Sequence, residues 1–126
     1  MDLRVSTSTV GGALVVALDG TADLGAAPAV HQALRSATTS RRGGVIAVDL
    51  DGAAVLDDAV LGLLVGAAER ARASGGELVV VCTAERLLAR LHATRLDQIL
   101  TIRQSVAAGA AEHTGSWTPS GSSATS

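Results

Sequence analysis

The chain has 126 residues, 48% of them hydrophobic, with a net charge of −2 and one cysteine; it is large enough for one buried core, too short for a two-domain enzyme, and unable to form an internal disulfide. Scattered basic residues leave no electrostatic footprint for nucleic acid, and the apolar runs fall far short of a membrane span of about 20 residues. With no Phe or Tyr and a single Trp, the core must be built from Ala, Val, Leu and Ile, and aromatic platforms for stacking bases or sugars are missing.

Leu3-Arg4-Val5-Ser6 alternates apolar and polar residues as a half-exposed strand does, and Ala13-Leu14-Val15-Val16-Ala17-Leu18 follows as a more buried one. Gly11-Gly12 between them suits a tight turn with positive φ, so an antiparallel hairpin is predicted. Asp19 to Asp23 reads as a polar loop. A helix is expected from about Gly25 to Ala37, with Val30 and Leu34 inward and Pro28 confined to its first turn, where N–H groups lack intrahelical partners anyway. Thr38 to Gly44 is a solvated loop.

Val45-Ile46-Ala47-Val48-Asp49-Leu50 is apolar and rich in β-branched residues, as a core strand is. A helix from about 59 to 73 places Leu61, Leu64, Val65 and Ala68 on one face. Gly75-Gly76 ends it, and Leu78 to Cys82 is a second buried strand. Together these segments form a βαβ unit with parallel strands. A helix from Ala84 to His92, a turn over Thr94–Leu100, an edge strand at Thr101–Arg103 and a small helix at 105–112 complete the expected domain, residues 1–112. The Ser/Thr/Gly-rich segment 113–126 is expected to be disordered.

The chemistry of the chain concentrates between Leu50 and Gly62, where two adjacent carboxylates, Asp57 and Asp58, precede the central helix. One acid there can cap the first turn; two exceed what a cap requires. Gly62 and Gly66 lie four apart on a face beside the apolar stripe. Each costs up to about 1 kcal/mol relative to alanine in a helix, so a docking partner or close internal packing is expected to account for them. Asp23 either caps the first helix or borders the same surface. Cys82 reads as a small core residue, and His31, His92 and His113 lack ligand spacing with one another. Gly43-Gly44 and Gly75-Gly76 lack the Lys and Ser/Thr of a phosphate loop. No nucleophile, general-base histidine or ligand set accompanies the acids, so no enzyme activity, cofactor or metal is expected.

Four segments, Asp19-Gly20-Thr21-Ala22-Asp23-Leu24, Leu56-Asp57-Asp58-Ala59-Val60-Leu61-Gly62, Gly75-Gly76-Glu77-Leu78 and Thr94-Arg95-Leu96-Asp97-Gln98-Ile99-Leu100, occur in an order and spacing that resemble the STAS domain over about residues 3 to 112. That family includes anti-sigma-factor antagonists and parts of sulfate transporters. The resemblance implies an α/β fold, a mixed sheet of about five strands packed with four or five helices. It also implies regulation by a protein partner that is both anti-sigma factor and serine kinase. The family pattern resembles Asp-Ser-Ser-Gly-Leu-Gly or Asp-Ser-Thr-Gly-Leu-Gly. Asp57, Leu61 and Gly62 match it, while Asp58 stands at the phosphoserine position, Ala59 at the second hydroxyl and Val60 at the glycine.

A phosphoserine carries about −1.5 to −2 charges near neutral pH, and Asp58 offers one fixed charge at the same place. The resemblance thus implies a partner-binding surface comprising Asp23, Asp57, Asp58, Ala59, Val60, Gly62 and Gly66. It implies either a built-in phosphoserine substitute at Asp58 or a partner that does not depend on phosphorylation. The bland reading of Asp58 is a helix cap. The alternative function is an accessory subunit of a transport ATPase, as related stand-alone STAS domains are. The acidic opening Met1-Asp2 is unlike a signal peptide, so a soluble cytoplasmic protein with no membrane insertion is expected.

Overall fold

Gly11 and Gly12 take φ of 57° and 86°, a left-handed pair that reverses the chain within two residues. β1 (Arg4–Val10) therefore folds antiparallel onto β2 (Ala13–Ala22), with Val10 opposite Ala13 and Arg4 opposite Asp19. The computed structural model describes residues 2–105. The helix expected at 105–112 and the tail beyond it lie outside the described residues, which end at Ser105.

After a 3-10 turn (Leu24–Ala26), α1 (Ala27–Ser40) begins with Pro28 in its first turn, where a missing N–H costs nothing. It leads to β3 (Val45–Asp49), which lies parallel to β2 with Leu14 beside Ile46 and Val16 beside Val48. α2 (Asp58–Ala73) and β5 (Glu77–Val81) complete the predicted βαβ unit, and β5 is parallel to β3 from Val45–Glu77 to Asp49–Val81. α3 (Glu85–Ala93) and a second 3-10 turn (Leu96–Gln98) then carry the chain to β6 (Thr101–Arg103), the edge strand parallel to β5.

The sheet has six strands, one more than expected, because β4 (Ala53–Leu56) pairs parallel with the end of β2 at Gly20–Ala53, Thr21–Val55 and Ala22–Leu56. This pairing also corrects the reading of residues 19–23: up to Ala22 they are strand, since β4 supplies backbone partners that the polar sequence does not advertise. Among the described residues there are three α-helices, fewer than the four or five expected, because the turns at 24–26 and 96–98 are single 3-10 turns.

Strand side chains alternate between faces, and the alternation assigns the core. Val16, Leu18, Ile46, Val48, Leu78 and Val80 share one apolar cluster with Val30 and Leu34 of α1, Leu61 and Leu64 of α2, and Leu87 and Leu91 of α3. All three helices thus cover the same face. Burying a leucine of this kind stabilises by about 1.5–3 kcal/mol. The consequence for function is that the outer side of α2, and its N-terminus at the end of β4, point away from the core.

Candidate functional site

Pairing of β4 with β2 brings two acids together that are distant in sequence. The Asp57 N–H donates to the Ala22 carbonyl at 2.9 Å, so Asp23 and Asp57 leave the sheet side by side. Each then begins a helical segment: Asp23 Oδ1 accepts from Ala26 N at 3.1 Å, and Asp57 Oδ1 accepts from Ala59 N at 3.0 Å. Asp57, with extended backbone, is the cap of α2 and Asp58 is its first residue. The duplicated acid is therefore not a duplicated cap.

Asp58 is 83% exposed at its side chain and receives a hydrogen bond from Arg90 Nη2 of α3 at 2.5 Å. A carboxylate at a helix N-terminus is stabilised by the macrodipole by about 0.3–1 kcal/mol. An ion pair so exposed adds only about 0–1 kcal/mol. Neither term is large enough to make Asp58 a structural requirement. Sequence reasoning missed Arg90, because only the folded chain brings it, 32 residues away in sequence, to Asp58.

Asp58, Gly62, Gly66 and Arg70 stand four apart and so form one row along α2. A Cβ added at Gly62 would meet nothing within 4 Å, and one at Gly66 would meet only Arg70 Nη1 at 3.5 Å. Close internal packing does not explain either glycine. Ala59 is half-buried, whereas Val60 is fully buried in the core and presents no surface. Of the seven residues singled out in the sequence, Val60 therefore lies apart from the exposed set. Two apolar side chains that the sequence reading passed over belong near it: Leu24, 68% exposed and next to Asp23, and Val55, 46% exposed on β4. A leucine directly after Asp23 in an otherwise polar stretch was the available signal.

A third acid ties the neighbouring loops. Asp51, in the turn after β3, accepts from Thr83 N at 2.7 Å, Thr83 Oγ1 at 2.8 Å and Ala84 N at 3.1 Å. Ala84, the residue before α3, has no capping side chain; Asp51, from the end of the adjacent strand, instead holds the two residues that lead into that helix. Burial pushes the Asp51 pKa up, but the hydrogen bonds from Thr83 and Ala84 outweigh it and hold the carboxyl below its ordinary value. A depressed folded-state pKa gives stability that is complete above the unfolded pKa and disappears as pH falls through the folded one. Asp51→Ala should lower stability by about 1–2 kcal/mol at pH near 7. Its urea midpoint should approach that of the parent chain as pH falls below the ordinary carboxylate range and through the lowered Asp51 pKa.

Cys82 is buried at the end of β5, where burial and then the nearby Asp51 charge raise its pKa, leaving an inert thiol. His92 Nδ1 lies 3.0 Å from Asp97 Oδ2 on the surface, and His31 is exposed on α1. Among the described residues no three His, Cys, Asp or Glu side chains converge as a metal site. None of their helices is long and apolar enough to cross a membrane.

Comparison with known proteins matches residues 4–109 to the STAS domain model. Among curated protein sequences none matches the chain. Solved structures share the fold. A Thermotoga maritima protein described as an anti-sigma factor antagonist superposes with a TM-score of 0.77 at 18% identity, covering 87% of this chain and 94% of its own. An anti-sigma factor antagonist from Mycobacterium paratuberculosis gives 0.74 at 21% identity, covering 90% and 95%. The phosphorylated Bacillus cell-fate determinant SpoIIAA gives 0.61 at 15% identity, covering 85% and 96%.

Proposed function

The chain belongs to the STAS domain family, and on that premise we propose that it is a regulatory module of the anti-sigma-factor-antagonist type, working by association with a protein and not by chemistry. The partner on this reading is an anti-sigma factor of the serine-kinase kind. Structural neighbours described as anti-sigma factor antagonists favour it over an accessory role in a transport ATPase.

The observation that carries the reading is the place of Asp58. It is the first residue of α2, exposed, with capping already performed by Asp57. A fixed carboxylate there substitutes for the phosphate that a serine at this place would receive, with one charge and two oxygens instead of three. Arg90 shares that charge, so the substitute is weaker than a phosphoserine. In the family the phosphorylated form is the one that releases the anti-sigma partner, so on this reading the protein sits toward the releasing state without needing a kinase to put it there.

Two measurements test this together. Incubated with the anti-sigma kinase and ATP, the parent chain should gain no phosphate by intact mass, whereas Asp58→Ser should gain one. In titration calorimetry Asp58→Ala should bind the same regulator about tenfold more tightly, equivalent to about 1.4 kcal/mol, with a larger gain at low salt, where exposed charges are least screened. Stoichiometric phosphorylation of the parent chain, or weaker binding by Asp58→Ala, would contradict the reading.

A further inference from the structure

Strand order decides which face of the sheet the helices cover. β2, β3, β5 and β6 follow one another across the sheet in chain order, all parallel, and right-handed crossovers that always step the same way place every helix on one side. α1, α2 and α3 accordingly share the cluster around Ile46 and Val80. The other face carries Ala13 and Val15 of β2, Val45 and Ala47 of β3, and Val79 and Val81 of β5, in two clusters made of strand residues only. A sheet face left to solvent carries polar side chains. This one is apolar, and its six residues are only 0–7% exposed, although no helix among the described residues lies on it.

The pattern of exposure outlines what covers them. It spans β5, β3 and β2 and stops there: on β1, Val10 opposite Ala13 is 45% exposed, and Ser8 opposite Val15 is exposed as well. At the other edge Thr101 and Arg103 of β6, beside Val79 and Val81, are half-buried. Arg41 shields only the hairpin end, where it donates to the Gly12 carbonyl at 2.8 Å; Val81 lies at the opposite end of the strands. The six residues are buried in a chain standing alone, so a second copy is not what buries them.

The chain leaves β6 at Arg103, and Ser105 brings it to the edge of this face. Val106-Ala107-Ala108-Gly109-Ala110-Ala111-Glu112 follows, with no charge before Glu112 and no side chain larger than valine in its apolar part. Small side chains suit close packing on a flat face of Ala and Val. Beyond them the sequence turns to Ser, Thr and Gly and offers little to bury. Neighbouring strands lie about 4.8 Å apart, so the crossing from β6 to β2 is about 14 Å. Seven residues reach about 10 Å as a helix and at most about 25 Å extended, and the crossing falls between the two.

We propose that the Ala/Val face of the sheet is a docking surface for the chain's own residues 106–112, which extends the domain to residue 112. The occupied face is closed to a second copy and to a protein partner, and the helical side is the one left open for docking. This inference goes beyond the anti-sigma reading and does not depend on it.

The test uses the full chain with isotope-labelled Ala and Val methyl groups. Nuclear Overhauser contacts should join the methyls of Val79 and Val81 to those of alanines between 107 and 111. The same contacts should be missing from the filtered spectrum of mixed labelled and unlabelled chains, which passes only contacts between molecules. Ala107→Glu combined with Ala110→Glu should uncover the face and raise the fluorescence of an apolar dye at least about threefold. Ser120→Glu combined with Ser122→Glu, which adds the same charge farther along, should leave it at the parent level. Contacts found only between molecules, no contact from 106–112 to Val79 or Val81, unchanged fluorescence in the alanine variant, or an equal rise in the serine control would each overturn the assignment. No regulator is in the tube, so such a failure strikes this surface and leaves the anti-sigma reading to its own test.

Discussion

Gly76→Ala should destabilise the domain by about 2–3 kcal/mol, a large change for a substitution that adds one methyl group. A Cβ at Gly76 would lie 2.4 Å from the Gly44 carbonyl oxygen, 3.0 Å from its nitrogen and 3.1 Å from the Gly43 carbonyl carbon. All three obstacles are backbone, and they cannot withdraw cheaply. Gly44 O accepts from Glu77 N at 3.0 Å, and Gly76 N donates to Ala71 O at 2.8 Å, so the same atoms start β5 beside β3 and end α2. Gly75 supplies the control. Its φ is 85°, yet nothing lies within 4 Å of an added Cβ, so Gly75→Ala should cost only the left-handed strain, about 1–2 kcal/mol. Urea unfolding with unchanged slope reads both. A loss under about 0.5 kcal/mol for Gly76→Ala would mean that the two strand entries are not in close contact.

Gly62→Arg should have the opposite profile, with stability held or raised and partner binding abolished. Replacing a helix-interior glycine by arginine gains up to about 1 kcal/mol in propensity, and no neighbour obstructs a side chain there. On the docking face the same side chain fills the row and sets a cation between Asp58 and Arg70. Affinity for the anti-sigma partner should fall at least about hundredfold, roughly 2.7 kcal/mol. Calorimetry gives the affinity and urea midpoints the stability. Undiminished binding would show that the partner docks elsewhere on the domain.

Much of the architecture could be read from residue patterns alone. The strands at 45–49 and 77–81 are buried on both faces, so they appear as unbroken apolar runs, and both are parallel as expected. Gly11-Gly12 announced the hairpin, and Asp57 announced the start of α2. β4 could not be read: at four residues it is too short to show a period, and its partner on β2 is the polar stretch ending at Ala22. The candidate site was legible only in part, for a related reason. Asp58, Gly62 and Gly66 stand out by residue type and spacing, but their setting comes from other elements. Arg90 reaches Asp58 from 32 residues away, and Asp51 reaches the start of α3 from 33 residues away. Val60 falls within the sequence motif, yet the turn of the helix carries it into the core.

The central claim is that this domain works by docking a protein on the N-terminal part of α2. Amide signals of the labelled full chain, followed while an unlabelled anti-sigma kinase is added, test it directly. The account predicts shifts or broadening at Asp23, Leu24, Val55 and Asp57 through Gly66, with β1 and β6 unaffected. Perturbation confined to β1 or β6, with α2 unchanged at saturating regulator, would contradict it.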